Sequence, residues 1–417
     1  MATNRWLGTA VPVSQVNTVT VGGTPASGQA YTVAMGVNGS KTVAYTATGS
    51  DTNSTIAAAL QALLAASTIP EFAEAAWTVS GAVVTGTANT AGYPFSNTSS
   101  ATGTGTLVTA TATASAGPND VSTAANWSTG ATPTTGDNVY ITNTNSSLLY
   151  GLSALSGATV SGVTIDSTFT GTIGLPQQNA NGYWEYRQRY FQLGVSTFTI
   201  LTGTGGGSGQ VQFDFGSVQV AATVANVGSP SQQGLPAVIL KGTNASNTLT
   251  VTQGSVGSTI DPGDASTWST VNIGYQTSQQ TDVTMLLGSG CTLTTINQDG
   301  GQLTYYGGAT THTQRAGSST VLGTGAVGAL DVEAGTCLYQ STGTITTLTV
   351  GDAGTVDFTR NPAARTVTNA TVYGGGTLLD GYKSVTFTNA FSCPQGAGVT
   401  SGGANIDLGT SIHIQRS

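Results

Sequence analysis

Between residues 296 and 382 the chain returns to a glycine five times, at Gly301, Gly317, Gly335, Gly354 and Gly376, with spacings of 16, 18, 19 and 22 residues. Strand-like residues follow each glycine, and successive side chains of a strand point to opposite faces. The second and fourth residues after each glycine therefore share a face. They read Leu303, Ser319, Cys337, Val356, Leu378 and Tyr305, Val321, Tyr339, Phe358, Asp380, of which eight of ten are apolar, aromatic or cysteine. The residues directly after the glycines are Gln302, Ser318, Thr336, Thr355 and Thr377, a wholly polar column. The pattern predicts that Val356 and Phe358 point inward beside Cys337 and Tyr339, while Thr355 and Asp357 face out. A unit of about 18 residues is too short to close a core, but units stacked about 4.8 Å apart bury a continuous one.

Looser repeats extend this pattern upstream, at Val163–Ile165, Phe198–Ile200, Val238–Leu240, Leu249–Val251 and Val283–Met285. The fold expected is mainly β, a small N-terminal α+β domain followed by a β-solenoid (parallel β-helix) over 139–417. An array of β-sandwiches is the alternative. Composition agrees with folded β structure. Only 7% of residues are charged and 58 are glycine, yet 38% are hydrophobic, whereas disorder pairs low hydrophobicity with high charge. A net charge of −8 with ten Lys and Arg leaves no basic stripe for phosphates, so no nucleic-acid partner is expected. No stretch approaches the roughly 20 apolar residues of a membrane span, so no membrane is expected either. No charged-then-apolar leader opens the sequence, which reads as synthesis in a cytoplasm without export. Cys291, Cys337 and Cys393 are widely spaced and read as small buried hydrophobes.

Four segments are expected. Residues 1–13 form an N-terminal arm. Residues 14–97 form the α+β domain, with strands at 16–21, 31–35, 41–45, 77–79 and 83–85. Its single helix is capped by Asp51 or Asn53 and packs through Ile56, Leu60, Leu63 and Leu64. Residues 98–138 are a linker and first cap, and 139–417 are the solenoid. Around Asn126-Trp127 and Asp137-Asn138-Val139-Tyr140-Ile141 the chain resembles the opening of large secreted β-helical proteins.

Few residues point to chemistry. Two positions before the repeat glycines stand Asp299, Arg315, Glu333 and Asp352. They read as a surface ion-pair ladder that fixes register, with a carboxylate pair beside a cation as the functional alternative. Other acids fall in different columns. Asp261-Pro262-Gly263-Asp264 reads as a turn, with calcium as its alternative. His312 and His413 read as strand residues, and Gly323–Gly328 matches GxGxxG without a following helix. No catalytic residue, metal or cofactor is expected. One dense cluster stands out, Tyr183, Trp184, Tyr186, Arg187, Arg189 and Tyr190, which suits a protein interface, a glycan contact or an insertion folded over the sheet.

The run Val19-Thr20-Val21-Gly22-Gly23-Thr24, then Tyr31-Thr32-Val33, the helix and Thr87–Phe95 resemble small domains of tailed-bacteriophage virion proteins. That resemblance implies a non-enzymatic virion protein on the particle surface. A capsid decoration or cement protein is expected, with a tail spike or fibre as the alternative. A cell-surface adhesin or a polysaccharide lyase or hydrolase stands further off. Partners would be copies of itself, as a homotrimer, and the major capsid or another virion protein.

Overall fold

The computed structural model describes residues 2–204, 210–226, 235–261, 263–274, 283–389, 391–394 and 405–407. His413 and the rest of the expected C-terminal segment beyond 407 lie outside the described residues.

Two hydrophobic cores divide the chain. The smaller gathers Val19, Tyr31, Val33, Ile56, Leu60, Phe72, Trp77 and Leu107. Around it, a four-stranded antiparallel sheet runs in the order Ala75–Ser80, Val83–Ala88, Val16–Gly23, Gly105–Thr113. A three-stranded sheet runs Lys41–Thr46, Ala30–Met35, Thr98–Ala101. The last strands of both sheets come from the stretch expected as linker, so the small domain continues to Thr113. Its helix, Asn53–Ala65, is capped by Thr52 in a reciprocal box with Thr55, not by Asp51 or Asn53. Asp51 instead accepts hydrogen bonds from Thr48, Thr55 and Tyr45, which lowers its pKa to about 2. Ile56, Ala57, Leu60 and Leu64 are the buried face, and Leu63 is 42% exposed.

The first residues are no free arm. Thr3–Arg5 pairs in parallel with Asn138–Ile141, and Trp6 is buried edge-on against Trp127, ring centroids 5.1 Å apart. Val13 and Ala116 then meet in an antiparallel bridge. The small domain is thus an insertion between two adjacent strands of the larger body.

In that body every described pairing between strands is parallel. One series runs Thr159–Ile165, Gly194–Thr204, Ala221–Asn226, Thr248–Ser258, Ser266–Ile273, Cys291–Gln298, Ala309–Gln314, Val327–Tyr339. A second runs Val211–Asp214, Val238–Lys241, Thr248–Ser258, Val283–Leu287, Gln302–Tyr306, Ser318–Leu322, Val327–Tyr339. The long strands Thr248–Ser258 and Val327–Tyr339 belong to both series and join them. The sheet consequently closes on itself as an eight-strand parallel β-barrel with further strands outside it. This corrects the expected β-solenoid, or parallel β-helix. Alternation and spacing report which face a residue takes and how far away its parallel partner lies. Both are the same in an open stack and in a closed wall. Against Val332–Ala334 the neighbouring strand Ile345–Asp357 carries an extra residue between Val350 and Ala353, the kind of bulge that bends a strand.

The glycine-anchored columns are paired as aligned. Leu303 faces Ser319, then Cys337, Val356 and Leu378 in parallel register. Gly317 and Gly335 hold φ of 78° and 84°, and a Cβ on either would run into the backbone oxygen of the preceding glycine. Only glycine satisfies both demands. All ten predicted inward side chains are buried. Asp357 departs from its expected outward position: it is buried and accepts from Thr359 N and Oγ1 at 2.7 and 2.6 Å.

Candidate functional site

The six clustered residues follow Gly182, just after a short turn in which Gln178 bridges Trp184. The structure divides five of them between two ionic groups. Tyr183, Tyr186 and Arg187 turn toward the small domain and meet Glu74, at the end of the short 3-10 turn Phe72–Glu74. Both phenols donate to Glu74, Tyr186 to Oε2 at 2.7 Å and Tyr183 to Oε1. Arg187 donates from Nη2 to Glu74 Oε1 at 2.5 Å, from Nη1 to both Glu185 oxygens at 3.2 Å, and from Nε to the Pro94 carbonyl at 2.9 Å. Its guanidinium also lies 4.7 Å from the Tyr186 ring centre. Burial first, then the Glu74 carboxylate, pushes both phenols up; for Tyr186 this outweighs the opposing pull of Arg187. Burial opposes the Arg187 charge, but Tyr186, Glu74, Glu185 and Tyr183 outweigh it and raise its pKa. The group is a charged lock across the junction of the two bodies.

Arg189 and Tyr190 face the other way. Both donate to Asp261 Oδ2, at 2.6 and 2.7 Å. Lys241 sits 4.1 Å above the Tyr190 ring and pairs with Asp264 at 2.8 Å and Asp214 at 3.9 Å. Asp261 and Asp264 thus each pair with one of the protein's own cations. Among the described residues, no group of three or more His, Cys, Asp or Glu side chains is arranged to hold a metal ion. Trp184 joins neither group and is 62% exposed.

The ladder is shorter than expected. Arg315 reaches Asp299 at 3.0 Å and Glu333 at 3.6 Å. Asp352 makes no ion pair among the described residues. Val332 to Ala334 pairs with Val350 to Ala353, one residue longer, and that extra residue takes Asp352 out of line.

Glu74, Asp214 and Lys241 carry no site role in the sequence pattern, and Asp261 is marked there only as a turn or calcium residue, because their partners lie between 23 and 113 positions away. A signal existed. Two arginines and three tyrosines in eight residues need acceptors, and the chain has only 18 acids to supply them.

A cleft of about 560 Å³ opens beside the lock. Ala73, Glu74, Asn89, Thr90, Tyr93, Pro94 and Phe95 of the small domain form one wall. Ser147, Leu149, Tyr150, Thr172, Leu175, Asn179, Asn181, Glu185 and Arg187 are among those lining the other.

No family model, curated protein or solved structure matches the chain. No described helix is long and apolar enough to cross a membrane. The geometry of the junction therefore carries the functional reading.

Proposed function

We propose that the chain is a non-enzymatic structural protein on the surface of a tailed-phage particle, a capsid decoration or cement protein that stabilises the head. The observation that carries this reading is the junction lock. A small domain with its own core is inserted through adjacent strand ends and clamped to the larger body by Glu74, Tyr183, Tyr186, Arg187 and Glu185. A rigid grip-and-body arrangement suits a passive binder of a particle lattice, because rigid partners lose less entropy on docking. A surface with 7% charged residues suits packing against neighbouring copies, and a homotrimer is the assembly we assign. The commitment of Arg187, Arg189, Lys241 and Arg315 to nearby carboxylates also supports a structural role for those acids.

Gold-labelled antibody to the full-length protein, applied to particles of the encoding phage, tests the reading. Label over the heads, with heads that lose heat resistance when the gene is deleted, is expected. Label confined to the tail would favour a spike or fibre. Purified particles lacking the protein would end the proposal, and sedimentation as a stable monomer would remove the trimer.

A further inference from the structure

We propose that the cleft at the junction binds a short, neutral oligosaccharide. The inference rests on the cleft alone, not on where the protein is carried. Its volume, about 560 Å³, lies within the range of small-molecule sites, roughly 300–1,000 Å³.

The walls decide the ligand class. Among the described residues three charged side chains line the cleft, and all three are spent on one another: Arg187 binds Glu74 and Glu185, and its Nε goes to the Pro94 carbonyl. No uncommitted cation remains to hold a phosphate or carboxylate. An ammonium group would have to compete with Arg187 for the same oxygens. What the cleft offers a ligand is therefore uncharged. Tyr93 is 44% exposed, and its ring is backed by buried Tyr150 at a centroid distance of 5.1 Å. A supported, half-exposed ring is a platform for the C–H face of a sugar. Around it stand amides and hydroxyls. Among the described residues the Asn181 side chain makes no hydrogen bond, and the Asn89 amide nitrogen goes to Ala73 O, which leaves its oxygen to accept. Thr90 adds a hydroxyl on the same wall. A purely apolar ligand would strand these groups without water or partners. A neutral sugar matches them, with hydroxyls to meet the amides and one flat face to meet Tyr93. Because the lock fixes one wall against the other, the site is formed before the ligand arrives, which reduces the entropic cost of binding.

The experiment uses the full-length protein and four neutral trisaccharides: maltotriose, cellotriose, chitotriose and mannotriose. Sialyllactose is the anionic comparison. Saturation-transfer NMR detects binding and calorimetry measures it. At least one neutral trisaccharide should bind more tightly than sialyllactose. Tyr93→Ala and Asn181→Ala, both surface changes, should each weaken it about tenfold or more with the melting temperature unchanged. Trp184→Ala, outside the cleft, should leave binding intact. Silence toward all four neutral sugars, preference for sialyllactose, or indifference to both cleft variants would overturn the proposal.

Discussion

His312 lies wholly inside the larger body, its ring edge-on to Tyr305 at 5.5 Å. One ring nitrogen is 3.3 Å from the Tyr305 hydroxyl and the other 3.4 Å from Gln298 Oε1. Burial pushes its pKa down to about 4. The unfolded chain, with a histidine pKa near 6.5, takes up a proton between those values that the folded protein refuses. Stability should fall as pH drops from about 6.5 to about 4, by about 3 kcal/mol in all, and be flat in this respect above 6.5. Denaturant titrations at several pH values should show that slope absent from His312→Leu and present in the wild-type-minus-variant difference; a flat difference would refute the assignment. At the same scale, Val356 is fully buried and Thr355 is not. Val356→Asp places an unpaired carboxylate inside and should cost several kcal/mol, about 3–5; Thr355→Asp should stay within about 0.5 kcal/mol. Equal denaturation midpoints would refute the assigned facing. Alternation made these two positions legible. It put Asp380 inside but Asp357 outside, and for neither could it show the local donors that satisfy a buried carboxylate. Asp380 accepts from Ser384 N, Ser384 Oγ and Val385 N, and a carboxylate so satisfied breaks an apolar column without disrupting the fold.

Among the elements, the strands at 302–306 and 318–322 were the most legible, because glycine position and side-chain alternation both specify the same register. The bulge between Val350 and Ala353 was not, since an inserted residue leaves no mark on composition. It decides the fate of the ladder. Arg315 is 48% exposed and Glu333 50%, so these pairs are screened and entropically costly to hold. Arg315→Ala should change stability by less than about 1 kcal/mol, measured by chemical denaturation. Asp352→Asn should do nothing measurable, having no ionic partner among the described residues. A loss of several kcal/mol in Arg315→Ala would mean that the ladder fixes register energetically. The helix shows the same limit from another side. Leu63 and Leu64 are equally apolar, and periodicity admitted both. Only the position of the sheet beneath the helix buries Leu64 and leaves Leu63 in solvent.

For the molecule as a whole, local pattern specified β structure and two separate cores, but not closure of the large sheet or the nesting of one body within the other. Insertion is a relation between residues over a hundred positions apart: Val13 N donates to Ala116 O at 2.8 Å, and nothing in either neighbourhood records the other. That closeness makes the larger body separable in principle. Residues 14–115 can be replaced by a short Gly-Ser linker without stretching the chain, and the remainder should unfold cooperatively in denaturant. The lock then distinguishes two roles for its charges. In the intact chain Arg187 is buried between Glu74 and Glu185, with side-chain exposures of 10%, 12% and 1%. Arg187→Met there strands two buried carboxylates and should cost about 3–5 kcal/mol. In the shortened protein Glu74 is gone and the exposed face of the site reaches water, so the same substitution should cost less than half as much. Equal losses in the two backgrounds would mean that Arg187 stabilises the large sheet alone and does not clamp the bodies together. Because rigid presentation of the small domain underlies the particle-surface reading, that result would also remove its main support.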